Sequence, residues 1–153
     1  EKYNELQAKG YSQGKMKAML HNQALQNVLT KIAPAEPDYI LIDQFAERGV
    51  YYNYLKSSKN IVQNRVLLAT KAESLHIAVA AASIIARYAF LIEMDKMSKQ
   101  IGFDLQKGAG AKVDEMAAKI LMKHGEEKLR NISKWHFANT DKAKAIFNKK
   151  YRS

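Results

Sequence analysis

The sequence predicts an α/β domain with an open sheet, and three observations carry that reading. Tyr39-Ile40-Leu41-Ile42 is apolar with no polar alternation, as a central strand covered on both faces would be. A second strand-like run, Val66-Leu67-Leu68-Ala69, follows some thirty residues on, and helix-patterned segments stand before, between and after the two. Each run leads to a carboxylate, Asp43 directly and Glu73 through Thr70-Lys71-Ala72. Open α/β sheets place their ligands in the crevice beyond the strand ends, so two acids there point to a metal-ion site sharing a hard divalent cation.

In chain order, Glu1 stands directly in a helical pattern, and a turn at residues 10–14 precedes a helix over 15–32. There Met16, Met19, Leu20, Ala24, Val28 and Ile32 recur at helical spacing, before Pro34 and Pro37 stop it. After the first strand, residues 46–55 predict a short helix with an aromatic face of Tyr51, Tyr52 and Tyr54. Residues 56–65 form a polar, basic loop leading into the second strand. Residues 74–99 predict the longest helix, the spine of the domain. Its alanine-rich stretch over 78–83 lets it lie very close to whatever it packs on. Residues 107–112 are a flexible turn, and 113–124 an amphipathic helix that Gly125 closes as a C-cap. Residues 129–137 are ambiguous, and Asp141 suits the N-cap of a last helix over 141–148.

Two short strands cannot satisfy both edges of a buried central strand, because unpaired buried backbone groups cost about as much as lost hydrogen bonds. The expectation is therefore that this chain is the C-terminal part of a longer protein whose upstream strands complete the sheet.

Composition bounds the partners. A chain of 153 residues that is 47% hydrophobic and 26% charged suits one ordinary globular domain. The absence of cysteine excludes disulfides, thiolate zinc sites and thiol redox chemistry, and an intracellular, cytoplasmic protein is the simpler expectation. The least polar stretch, residues 75–94, is interrupted by His76, Ser83, Arg87 and Glu93, and no signal-peptide pattern leads the chain, so no membrane partner is expected. Twenty-five Lys and Arg against fifteen Asp and Glu give +10, which favours an anionic partner, nucleic acid first. A merely soluble basic surface explains the charge equally well.

Four stretches together resemble the type 2 ribonucleases H. They are Ile40-Leu41-Ile42-Asp43-Gln44-Phe45, Thr70-Lys71-Ala72-Glu73-Ser74, Ala80-Ala81-Ala82-Ser83-Ile84-Ile85-Ala86-Arg87 and Lys134-Trp135-His136-Phe137-Ala138-Asn139-Thr140. The Glu of the second stretch, the last stretch and residues 107–115 are most similar to the ribonuclease HIII branch. The resemblance runs over essentially all 153 residues. It implies an RNase H-like fold, a central mixed sheet flanked by helices, here incomplete at the N-terminus. It also implies hydrolysis of the RNA strand of RNA/DNA hybrids with two Mg²⁺ or Mn²⁺ ions. Asp43 matches the family's third catalytic carboxylate and Glu73 its fourth, whereas the Asp-Glu pair of the first strand and the N-terminal platform domain have no counterpart in the chain. The fragment alone is accordingly expected to be inactive, its partners being the hybrid and the upstream segment of the same protein, as a monomer. The competing reading is a non-catalytic, basic nucleic-acid-binding module.

Two cations roughly 3.5–4 Å apart activate a water and stabilise the leaving oxygen of a phosphodiester, and carboxylates suit both ions. Asp43 and Glu73 are thus the expected catalytic and metal-binding residues. By spacing alone each has a structural alternative, Asp43 capping the 46–55 helix and Glu73 favoured by the dipole of the helix it starts. The match at both positions reverses that order. Lys71 and Arg87 are candidates for phosphate contacts, and Asn22, beside His21 in a region that approaches the DNA strand in the wider family, for a hydrogen bond to phosphate. Each is also readable as an ordinary helix or surface residue. His136, among apolar neighbours, reads as a packing histidine, and the three tyrosines as core. Asp95, Asp104, Asp114 and Glu115 read as solvated or structural. Lys107-Gly108-Ala109-Gly110 resembles a stretch in which sister ribonuclease HII enzymes carry Tyr where Ala109 stands, implying a preference for hybrids with several ribonucleotides. As a phosphate loop it is weak evidence.

Overall fold

The structure, a computed structural model, describes residues 1–151 and divides into two compact units, Lys9–Arg87 and Glu1–Ala8 together with the chain from Tyr88 onward. Its elements are α1 (Lys2–Ala8), α2 (Gln13–Ile32), β1 (Ile40–Asp43), α3 (Arg48–Leu55), β2 (Val66–Ala69), α4 (Ala72–Leu75), α5 (Ile77–Ile101), α6 (Ala111–Ile132) and α7 (Ala138–Tyr151).

In the unit of residues 9–87, β1 and β2 pair in parallel from Ile40 opposite Val66 to Asp43 opposite Ala69. The ladder runs one bond past each end, with Ile40 N–H donating to Arg65 O at 2.8 Å and Gln44 N–H to Ala69 O at 2.9 Å. One core covers this pair: Ile42 and Val66 pack with Ala18 of α2 and with Tyr51 and Leu55 of α3. Ser12 caps α2, its Oγ accepting from Lys15 N–H at 3.2 Å, which satisfies a donor the first helical turn leaves open. Gly14 lets α2 and α3 meet closely, since a Cβ there would stand 2.9 Å from the Tyr54 ring.

In the other unit, Ile101 and Leu105 pack against Ile120, Leu121 and Leu129 of α6 and Ala143 of α7. Asn4 ties α1 to the connection between α6 and α7. Its Nδ2 donates to Arg130 O at 2.7 Å and Ser133 O at 2.8 Å, while its Oδ1 accepts from Trp135 N–H at 3.0 Å.

Several sequence expectations change. The single helix over 74–99 is two, because His76 adopts an extended conformation between α4 and α5 and its Nδ1 accepts from Ala78 N–H at 3.1 Å, opening α5 afresh. The alanine-rich stretch of α5 is not packed: Ile77 is 82% and Ile84 71% exposed. Small residues permit close approach without supplying a partner, and among the described residues no element covers that face. By length and composition α5 is apolar enough to cross a membrane, with none of the qualifying window buried. Nor is the strand pair covered on both faces, since Tyr39 and Leu67 are exposed.

Gly125 ends a helix as expected: at φ 80°, ψ 176° it is non-helical and divides α6 in two, and the second helix runs on to Ile132 and takes up the ambiguous start of residues 129–137. Asp141 lies in the first turn of α7 rather than capping it. Asp114 is buried instead of solvated, hydrogen-bonded by the Asn139 amide that also donates to Ala109 O at 2.9 Å. Tyr51 is fully buried as expected, and His136 stacks on Tyr3 with centroids 5.6 Å apart.

Gly125 occupies backbone space essentially reserved for glycine, with nothing within 4 Å of an added Cβ, so strain and not crowding opposes substitution. Gly125→Ala is expected to lower stability by about 1–3 kcal/mol, read from the midpoint of chemical denaturation.

Candidate metal centre

Asp43 is the last residue of β1, and the parallel register sets Ala69, the last residue of β2, beside it. From Ala69 the chain turns through Thr70 and Lys71, and the N–H of Ala72 comes back to donate to Asp43 Oδ1 at 3.2 Å. The turn is closed on both sides of Lys71. Its carbonyl accepts from both the N–H and the Oγ of Ser74, at 2.9 and 2.7 Å, and its own backbone is left-handed at φ 54°, ψ 40°. Ala72 is fully buried, which anchors the donor.

Glu73 follows Ala72 directly. Adding one N–Cα bond and one Cα–Cα step of about 3.8 Å to the hydrogen bond keeps the Glu73 Cα within about 8.5 Å of Asp43 Oδ1. Both acidic side chains are exposed. The backbone of Glu73 thus lies close to the Asp43 carboxylate at the carboxyl ends of two parallel strands, where ligands of open sheets bind. Among the described residues no group of three or more His, Cys, Asp or Glu converges to hold a metal. The oxygen chemistry of the two acids fits Mg²⁺ or Mn²⁺, hard cations that keep other positions for water and phosphate.

Along β1 runs a cleft of about 1020 Å³, lined by Tyr39, Leu41 and Asp43, by Lys17 and His21 of α2, and by Val79, Ala82 and Ala86 of α5. His21 rests on the Phe45 ring, centroids 5.1 Å apart, and Lys17 lies over the same ring. Withdrawal from water holds the His21 pKa below its ordinary 6.5, helped by the Lys17 charge and opposed by the negative charge of Asp43.

The other expected residues divide. Lys71 and Glu73 flank the Ala72 donor in the chain, so their backbones lie near Asp43. Arg87 is exposed on α5, one residue beyond the cleft-lining Ala86. Asn22 is a correction. At 4% exposure it faces inward, its Nδ2 donating to Asn60 O at 2.8 Å and its Oδ1 accepting from Val62 N–H at 2.9 Å, so it pins the loop before β2 instead of meeting a phosphate. Sequence reasoning missed the Ala72 amide, which carries no side-chain signal, and placed His21 near nucleic acid without joining it to Asp43. The four-residue step from Lys17 to His21, which sets both on one helical face, was the available clue.

Residues 1–140 match the family model described as Ribonuclease HII. Ribonuclease HIII of Lysinibacillus sphaericus (strain C3-41) is 68% identical over 146 residues, 95% of this chain and 47% of that protein. Ribonuclease HIII of Bacillus subtilis (strain 168) is 59% identical over 150 residues, 98% of this chain and 48% of that protein. The chain spans about half the length of these curated relatives. Among solved structures, the crystal structure of Bst-RNase HIII in complex with Mn²⁺ superposes with a TM-score of 0.94 at 52% identity, over 96% of this chain and 48% of that one. The fold is RNase H-like, with a small parallel sheet and flanking helices.

Two outcomes follow from the geometry. Asn22→Ala strands the Asn60 carbonyl and the Val62 amide, and is expected to cost about 1–3 kcal/mol in chemical denaturation. Because the folded protein holds the His21 pKa below the unfolded value, the unfolded chain binds the extra proton first as pH falls. Stability from this group is whole above pH 6.5 and declines as pH drops through the lowered folded value, a decline that His21→Gln should flatten in denaturation curves taken across that range.

Proposed function

The chain belongs to the ribonuclease HII family, and from that premise we propose that it supplies half of the active centre of a metal-dependent endoribonuclease cutting the RNA strand of RNA/DNA hybrids. The observation that supports the reading is the Ala72 N–H bond to Asp43, which brings the backbone just before Glu73 to Asp43 beyond the ends of β1 and β2. The Mn²⁺ complex of the similar Bst-RNase HIII supports a divalent cation.

Two bound Mg²⁺ or Mn²⁺ ions would supply the activated water and the charge stabilisation at the leaving oxygen. Asp43, held by the Ala72 amide, presents its remaining oxygen lone pairs towards that centre. Glu73 offers a second carboxylate from the adjoining turn, its longer side chain adding reach. The exposed Lys71 and Arg87 face the anionic backbone of the hybrid, and the +10 chain raises its local concentration.

Two carboxylates hold a metal pair weakly. The remaining acidic ligands, and the strands that cover β1 and the exposed face of α5, come in this reading from an upstream segment of the same protein, with the chain alone inactive. The whole enzyme acts as a monomer in the cytoplasm.

The test uses the full-length protein with Mn²⁺ and a labelled RNA/DNA hybrid. Loss of a group that merely orients a metal ligand costs about 10–100-fold, so Asp43→Asn, which removes a ligand, is expected to lower cleavage by at least about a hundredfold. Undiminished cleavage would overturn the assignment. Salt-dependent hybrid binding with no metal-dependent cleavage by the full-length parent would favour the binding-module reading instead.

A further inference from the structure

Lys71 stands in the left-handed region, φ 54°, ψ 40°, and its side chain makes no capping hydrogen bond there. Glycine would occupy it without strain and asparagine with little. The surroundings impose it. The Lys71 carbonyl is pinned by two bonds from Ser74, and the next residue is the buried Ala72 whose N–H reaches Asp43 Oδ1. Reversing the backbone at Lys71 is what lets the chain leave β2, swing that amide onto the neighbouring strand's carboxylate and start α4 with Glu73 in its first turn.

We infer that Lys71 is a positioning residue through its backbone: its left-handed conformation sets the mutual placement of Asp43 and Glu73 and thereby the affinity for a divalent cation, independently of its side-chain charge. The inference rests on the reading of these two acids as cation ligands. It separates two roles that a single charge-removing substitution would confuse, since loss of a phosphate-contacting ammonium weakens hybrid binding whatever residue replaces it. A conformational role instead ranks the replacements by their tolerance of positive φ.

The experiment is calorimetric titration of the full-length protein with MnCl₂, comparing Lys71→Gly, Lys71→Asn, Lys71→Ala and Lys71→Val, all of which lose the same charge. A branched Cβ is disfavoured most at positive φ, so Lys71→Val is expected to bind Mn²⁺ about tenfold more weakly than Lys71→Gly. Lys71→Asn should match Lys71→Gly and Lys71→Ala should fall between Gly and Val. If the Val variant does not fold, the Ala–Gly comparison decides. Glycine also loosens the unfolded chain, but this moves denaturation and not metal affinity of the folded protein. Equal Mn²⁺ affinities across the series, with Asp43→Asn weakened, would overturn the positional role alone. An Asp43→Asn variant that binds Mn²⁺ as tightly as its parent would overturn the cation site itself, and this inference with it.

Discussion

A single backbone-to-side-chain hydrogen bond, Ala72 N–H to Asp43 Oδ1, organises the functional end of the sheet. It needs the parallel register, because only with Ala69 beside Asp43 does a two-residue turn return the chain to the neighbouring strand. It needs burial of Ala72, which keeps the donor from swinging into water. With it go the left-handed Lys71, the two hydrogen bonds that Ser74 donates to the Lys71 carbonyl and the place of Glu73 in the first turn of α4. Hydrogen bonds to a charged acceptor are stronger than neutral ones, typically about 1.5–3 kcal/mol, which is of the same size as the ordinary preference of about 1–2 kcal/mol against positive φ at a lysine.

How much of this was legible in the chain differs by cause. The second strand, Val66–Ala69, matched its expectation and the first differed by one residue at each end, because apolar runs flanked by proline, glycine or polar loops are local signals. Asp43 and Glu73 stood out because each follows such a run. Other features were invisible for physical reasons. Helical periodicity continues through His76, and the break there comes from its extended backbone and the side chain that opens α5. Asn22 looks like a surface amide on a polar helix until its partners, Asn60 and Val62, arrive from about forty residues away. Asp114 is likewise buried, with a partner, Asn139 of α7, that lies 25 residues further on. Lys71 carries no mark of its conformation, since glycine or asparagine would be the usual flag.

In the proposed reading, exposed apolar residues are the counterpart of an incomplete set of metal ligands. Tyr39 and Leu67 by the sheet, and Ile77, Ile84 and Ile85 on α5, are exposed although their composition suits a core. Large apolar side chains exposed to this degree suit a surface that something else covers. In the proposed reading the same upstream segment covers this surface and brings the missing carboxylates, so fold completion and metal binding become one event and metal affinity is linked to folding.

The central claim is that Asp43 and Glu73 hold one shared cation centre, and a double-mutant cycle on Mn²⁺ affinity in the full-length protein addresses it most directly. If both carboxylates serve one centre, Glu73→Gln costs far less in the Asp43→Asn background than alone, a coupling of about 0.5–3 kcal/mol. Additive losses, each substitution costing the same with or without the other, would mean that the two acids act at separate places and would contradict the account.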